Sequence, residues 1–338
     1  MQIDSFSVEQ MAGQRLMVGF DGTDLNADLK FLIDTIKVGG IILFSRNLTD
    51  PNQIRQLCAS VQKYALSRQQ PPLLIAIDQE GGQVARLKEP FTQFPGNPYM
   101  EGEEDAVRFA RVTAVELAEI GVNMNMAPVM DVATEEIEFV MADRVFGHDP
   151  SWVSTMGTVV IDHMQQDGIM AVAKHFPGIG RTTLDSHIEM PRLNIDLATL
   201  ESSDLVPFEA AVKHQVAGIM LSHVLYVQID SEWPASLSPT IAKDLLRDQI
   251  GFEGVVLTDD LDMGAMIGNY DIKVMMKQIL SADIDIALIC HRSPKIEGAF
   301  EEILRTISDS TEAKLKAASS LERIIRLKKK YKLSAHHL

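Results

Sequence analysis

Cysteine is scarce. The 338 residues hold two, Cys58 and Cys290. They lie far apart and outside any Cys-x-x-Cys or Cys/His spacing, which excludes a disulfide scaffold and a zinc-finger type of site and fits a reducing compartment. Basic residues are in deficit too, with 31 Lys and Arg against 47 Asp and Glu and a formal net charge of −16. A surface of that sign repels nucleic-acid phosphates and anionic lipids alike, so neither nucleic acid nor a membrane is an expected partner. Long apolar runs are also missing. None approaches the ~20 residues that span a bilayer, and the opening MQIDSFSVEQMAGQ has no basic start followed by an apolar stretch; a cytoplasmic protein is expected. No internal repeat, low-complexity stretch or Gly/Ser-rich linker divides the chain.

What is present is apolar material, 46% of the residues, in short pieces. Eight runs recur at 16–20, 40–44, 73–77, 123–129, 170–173, 218–221, 255–258 and 284–289. Helix signals fill the intervals: Thr49-Asp50-Pro51 opens 53–67, Asp149-Pro150 opens 151–166, Ser238-Pro239 opens 240–248, and 101–120 reads as a further helix. Near-continuous apolar strands alternating with helices indicate a parallel sheet buried on both faces, and eight such units close into a (β/α)8 TIM-type barrel. The expected domain is a single one over 1–338. Such barrels start at about 250 residues, leaving about ninety for insertions and termini. The clearest insertion, 175–200, follows the fifth strand and carries Arg181, Asp185 and His187. The segment 311–332 reads as a basic amphipathic closing helix, with Lys328-Lys329-Lys330 as solvated cations near its C-terminal end.

Reactive groups of such barrels sit at the C-terminal ends of the strands. Asp78-Gln79-Glu80-Gly81-Gly82 follows the third run, with Arg86 further on. Asp131 and Asp143-Arg144-Val145-Phe146-Gly147 follow the fourth, Lys174-His175-Phe176-Pro177-Gly178 the fifth, Ser222-His223 the sixth, and Asp259-Asp260-Leu261-Asp262-Met263-Gly264 the seventh. Singly, each has a plain structural use. An Asp after a strand caps a helix; Gly81-Gly82 makes a tight turn, with no phosphate role because G-x-G-x-x-G is absent. Asp185-Ser186-His187 can be a turn with a solvated imidazole, and His223 a satisfied group behind a pocket. Chance, however, would scatter these residues over both rims of the barrel.

An aspartate ending the seventh strand can attack carbon, and an imidazole oriented by a carboxylate can donate and then recover a proton. That pairing suits two-step glycoside hydrolysis with retention. Asp78 can accept hydrogen bonds from sugar hydroxyls, while Arg86, Arg144, Lys174 and His175 can donate them. Alternatively, Lys174 can form a Schiff base with a carbonyl substrate, as in an aldolase. Asp259 and Asp260 are equivalent on this pattern, because the strand before them is apolar on both faces. Aromatic residues amount to 6%, with Trp152 and Trp233 the only tryptophans, which suits a pocket for one terminal sugar better than a long polysaccharide cleft.

Four stretches carry a family resemblance: IAIDQEGGQVARL at 75–87, DRVFG at 143–147, KHFPG at 174–178 followed by DSH at 185–187, and LTDDLDMGAM at 257–266. In order and spacing they resemble the single-domain bacterial β-N-acetylglucosaminidases of glycoside hydrolase family 3. The resemblance implies an exo-acting enzyme of peptidoglycan recycling that removes terminal N-acetylglucosamine from cytoplasmic cell-wall fragments. It implies no metal or organic cofactor, and a monomer or weak homo-oligomer is expected. By position, Asp259 rather than Asp260 would be the nucleophile, His187 the acid/base and Asp185 its orienting partner. Asp78, Arg86, Arg144, Lys174 and His175 would bind the terminal sugar.

Two positions depart from the family pattern. The loop commonly reads Gly-His-Gly followed by a small or acidic residue, where this chain has Gly178-Ile179-Gly180-Arg181, and Gln83 replaces a commonly basic residue. Arg181 is expected to bring positive charge to the loop, either meeting an anionic aglycone or lowering the pKa of His187 by repulsion. The competing readings are a β-glucosidase or β-xylosidase of the same broad family, an aldolase using Lys174, and a barrel that binds sugar without cleaving it.

Overall fold

Each of the eight apolar runs supplies one strand of a closed, all-parallel barrel. In this computed structural model, which describes residues 6–134, 141–183 and 189–333, the strands are β1 (Leu16–Val18), β2 (Gly40–Leu43), β3 (Leu74–Ile77), β4 (Met124–Asn125), β5 (Met170–Phe176), β6 (Gly218–Leu221), β7 (Val255–Asp260) and β8 (Ile286–Ile289). Sequence neighbours are barrel neighbours throughout, and β8 pairs with β1 to close the ring. Only β4 is much shorter than its apolar run. Pro128 has no N–H to give to a ladder, and pairing continues beyond it through a single bridge from Val129 to Lys174.

The strands are apolar on both faces because they have two cores to serve. Met17, Ile42, Leu74, Ala76, Met124, Met170, Val172, Met220, Val255, Leu257, Ile286 and Leu288 pack together inside the barrel. The alternate residues, among them Leu16, Val18, Ile41, Leu43, Ile75, Ile77, Val256 and Ile289, face the helices. The inner core is rich in methionine, whose unbranched side chain fits the irregular space of a tapering interior.

Helices begin where the capping residues stand. Asp50 accepts from the backbone N–H of Asn52 and Gln53 at 2.9 and 3.0 Å, and Pro51 opens the helix Pro51–Ser67. Asp149 and Pro150 start Pro150–Gln166 in the same way. The segment Thr240–Gln249 forms as read but with π-type winding, burying Ile241, Ala242, Leu245 and Leu246. No described helix is long and apolar enough to cross a membrane.

The closing helix, Thr311–Lys330, packs against the end of the barrel where the strands begin. Ile324 and Leu327 belong to the inner core. Here the structure differs from the expectation of a solvated lysine run, because Lys328 is 2% exposed. Its ammonium donates to the Gln14 side-chain oxygen at 2.7 Å and to the Gly39 carbonyl at 2.9 Å, two groups just ahead of β1 and β2. With no carboxylate paired to it among the described residues, burial pulls the amine down to about 7. Nearby charge is instead compensated within its own network, where the fully buried Asp285 receives Arg247 at 2.7 Å and Arg323 at 2.8 Å.

A lysine held near 7 in the folded chain and near 10.5 when unfolded binds fewer protons folded than unfolded between those values, so its penalty is relieved as pH rises. The melting temperature of the wild type should therefore gain on that of Lys328→Met between pH 7 and pH 10.5. A difference that stays flat over that range, measured by calorimetry, would contradict the assignment.

Candidate active site

Most of the charged residues read from the strand ends converge on one cavity of about 180 Å³ at the C-terminal mouth of the barrel. It is lined by Asp78, Arg86, Arg144, Lys174, His175, Asp259 and Asp260 together with apolar groups that include Phe44 and Met263. Asp78 stands directly after β3. A short hairpin, Gln79–Gly81 with Val84–Ala85, then reverses the chain so that Arg86 returns over it, 3.4 Å from the Asp78 carboxylate. The turn uses Gly81 and Gly82 at φ of 88° and 60°. A Cβ on Gly82 would come 2.9 Å from the Pro95 carbonyl, so glycine is required there for conformation and space.

Two register slips explain how consecutive residues reach the same cavity. Along a regular strand Lys174 and His175 would point to opposite faces, but the pairing of β5 with β6 shifts between Lys174 and Phe176. The pairing of β7 with β8 shifts between Leu257 and Asp260, and Asp259 and Asp260 both line the cavity.

The floor of the site is an ion network centred on Lys174. Its ammonium lies 2.9 Å from Asp78 and 2.7 Å from Glu80. Arg144 grips Glu80 with two parallel bonds of 2.9 and 2.7 Å. Burial alone would raise the Asp78 carboxyl, yet Lys174 and Arg86 outweigh it and bring the group down to about 2. Burial likewise works against the Lys174 ammonium, and the carboxylates of Asp78 and Glu80 reverse it, for a net rise. An amine held protonated by two carboxylates is a hydrogen-bond donor rather than the free nucleophile a Schiff base needs. Glu80 is a site residue the sequence reading missed. Its signal was the Asp-x-Glu spacing, which puts both carboxylates on one side of an extended segment. Phe44 was missed as well; it follows β2, and the guanidiniums of Arg46 and Arg86 lie 4.8 and 5.4 Å from its ring centre.

The two adjacent aspartates differ in state. Asp260 is occupied structurally, with one oxygen accepting the N–H groups of Asp262 at 3.0 Å and Cys290 at 2.9 Å. Burial and the neighbouring carboxylates Asp262 and Asp259 lift it to about 6 despite those bonds. Desolvation acts on Asp259 too, but His223 and His175 overcome it and hold the group below the ordinary aspartate value. His223 is fixed between the Ser236 hydroxyl at 2.7 Å and the Asp260 carbonyl at 2.8 Å. His175 is fixed by Asp131, whose carboxylate lies 2.8 Å from its Nδ1. The carbonyl of Asp260 can only accept, so His223 presents Nε2–H to it. Among the described residues, Asp260, Asp262 and His291 bring ligand-type atoms within 4.8 Å of one another. The Lys295 ammonium already lies 2.7 Å from Asp262 there.

Asp185 and His187, read as the acid/base pair, lie outside the described residues. Arg181, just before them, is described and is engaged in an ion pair. Its Nε sits 3.2 and 3.0 Å from the two oxygens of Asp204, whose side chain is fully buried.

The glycosyl hydrolase family 3 N-terminal domain model matches residues 7–327. A β-hexosaminidase from Alkalilimnicola ehrlichii is 35% identical over 297 residues, which are 85% of this chain and 84% of the relative. A family 3 β-N-acetylglucosaminidase structure from a Paenibacillus species superposes with a TM-score of 0.94 at 34% identity, over 98% of this chain; the chain spans 64% of that longer protein. A β-N-acetylhexosaminidase structure from Beutenbergia cavernae gives 0.89 at 27% identity, covering 96% of this chain and 99% of the other. Matched along nearly its whole described length, the chain belongs to glycosyl hydrolase family 3, as a glycoside hydrolase of the β-hexosaminidase branch.

Proposed function

We propose that this protein is a retaining exo-β-N-acetylglucosaminidase that removes terminal N-acetylglucosamine from cell-wall muropeptide fragments. It would act as one catalytic barrel domain without a metal or organic cofactor. The observation that carries the reading is a partly buried Asp259, held below the ordinary aspartate value, in the same cavity as the hydroxyl-binding groups Asp78, Arg86, Arg144, Lys174 and His175. Asp78, at about 2, stays an acceptor throughout the working range, while the cations and His175 donate. A cavity of about 180 Å³ falls below the ~300–1,000 Å³ of pockets for drug-sized ligands and suits a single terminal ring. The acetamido sugar is favoured over glucose by the likeness to a β-hexosaminidase and a β-N-acetylglucosaminidase. The muropeptide aglycone rests on the resemblance of the strand-end motifs.

In the first step the Asp259 carboxylate bonds to the anomeric carbon as the glycosidic bond breaks, and protonated His187 gives its proton to the departing oxygen. In the second, the neutral imidazole takes a proton from water, whose oxygen displaces Asp259 with a second inversion. Asp185 would hold the ring and stabilise its charged form, as the acid of a triad does. Lys174 and Glu80 keep the sugar aligned during both steps.

Turnover of para-nitrophenyl N-acetyl-β-glucosaminide should fall by about a thousand-fold or more in Asp259→Asn, with the fold intact. Comparable rates in mutant and wild type would remove the nucleophile. The same assay with the aryl glucoside separates sugar preferences, since faster glucoside cleavage would reverse the choice of substrate.

Replacing Glu80 by Gln releases Arg144 and half of the hold on Lys174. It should lower kcat/KM by up to about a hundred-fold through misplacement of the sugar, although Glu80 is not expected to touch the reacting bond. An unchanged kcat/KM in Glu80→Gln would show that the network does not align substrate.

A further inference from the structure

We propose that the Arg181–Asp204 ion pair positions the catalytic acid, by fixing the direction in which the loop after β5 leaves the barrel. The proposal rests on the reading of His187 as acid/base given above.

The outward leg of the loop is held at successive points. The Ile179 N–H donates to Asp131 at 2.9 Å, so the carboxylate that orients His175 also holds the loop. The Tyr226 hydroxyl donates to the Gly178 carbonyl at 2.7 Å. A Cβ on Gly180 would come 1.8 Å from the Val132 carbonyl, so the chain lies directly on the segment after β4. Arg181 then closes on Asp204, between the helices Leu197–Ser202 and Val206–Lys213.

The return leg is tied to the same neighbour. Arg192–Leu193 pairs in parallel with Leu225–Tyr226, and the Leu225 and Val227 N–H groups donate to the Pro191 and Leu193 carbonyls at 3.0 and 2.9 Å. Tyr226 therefore holds one leg by its hydroxyl and lies in the strand that holds the other. Asp185 and His187 fall between these two legs, and Arg181 is the last charged anchor before them.

The buried Asp204 makes this anchor specific. Burial drives its carboxyl upward and Arg181 opposes the rise, so the ionised form depends on the guanidinium remaining in place. Arg181 is only partly covered, and without Asp204 it would turn to solvent. The pair is thus selective for one path of the chain. It also commits the charge that the sequence reading had assigned to an anionic aglycone or to repulsion of His187.

The test uses kcat/KM, which reports the step in which the leaving group departs, on two N-acetyl-β-glucosaminides. A dinitrophenyl group departs without a proton; a phenyl group needs one. Arg181→Met and Arg181→Gln should lose about ten-fold or more on the phenyl glycoside and less than about two-fold on the dinitrophenyl glycoside, because only the first needs a well-placed acid. Arg181→Lys should recover most of the loss, and Asp204→Asn should reproduce it. Equal losses on both substrates, or none, while His187→Ala discriminates strongly, would overturn the positioning role. If His187→Ala itself fails to discriminate, the acid assignment falls, and this proposal with it, by a separate signature.

Discussion

Charge buried at the mouth of an apolar barrel persists only when neighbouring charges neutralise it, because an isolated buried ion costs several kcal/mol. Lys174 is the joint that meets this constraint. It bridges Asp78 and Glu80, Glu80 holds the fork of Arg144, and Arg86 closes over Asp78. Each group is kept ionised by the others, so the network holds its acceptors and donors fixed at the cavity. Such preorganisation is what an enzyme needs where charge develops in the transition state. The same network makes Lys174 a poor amine nucleophile, so the electrostatics that suit glycoside recognition oppose Schiff-base chemistry.

The second constraint is geometric. Parallel strands alternate their side chains, and a barrel filled with Met, Leu, Ile and Val has no room for polar neighbours in sequence. Two register slips near the C-terminal ends of β5 and β7 break the alternation where the inner core stops. Lys174 with His175, and Asp259 with Asp260, thereby reach one cavity from adjacent positions. Bulges placed in this way aim side chains without lengthening the loops that carry them.

The eight strands were legible because burial on two faces leaves a continuous apolar run, and the capped helices because Asp50-Pro51 and Asp149-Pro150 are local signals. What escaped depends on distant partners. Lys328 reads as one of three solvated lysines until the helix is packed against Gln14 and Gly39, contacts across nearly the whole chain length. Arg181 reads as a free charge until the buried Asp204 is beside it. Glu80 stood in view within the Asp78 motif, but its worth depends on Arg144 and Lys174, which come from other strands. The shortness of β4 follows from Pro128, a residue without an N–H inside the apolar run 123–129.

Asp259 and Asp260 show where a pattern must give way to geometry. Both are aspartates at the end of one strand, both are partly buried, and both line the cavity. Burial favours the neutral acid in each, so what separates them is the company each keeps. The nearest charged influences on Asp260 include two carboxylates, and one of its oxygens is occupied by the backbone of the β7 and β8 loops. Asp259 is held by the charge of His223 and His175, and its carboxylate accepts the adjacent N–H of Asp260 at 2.8 Å. A carboxylate engaged in shaping a turn is committed to the backbone, whereas one kept ionised by imidazoles stays charged at the pocket wall. The slip in strand register brings both aspartates to the cavity, and their different neighbours set them apart.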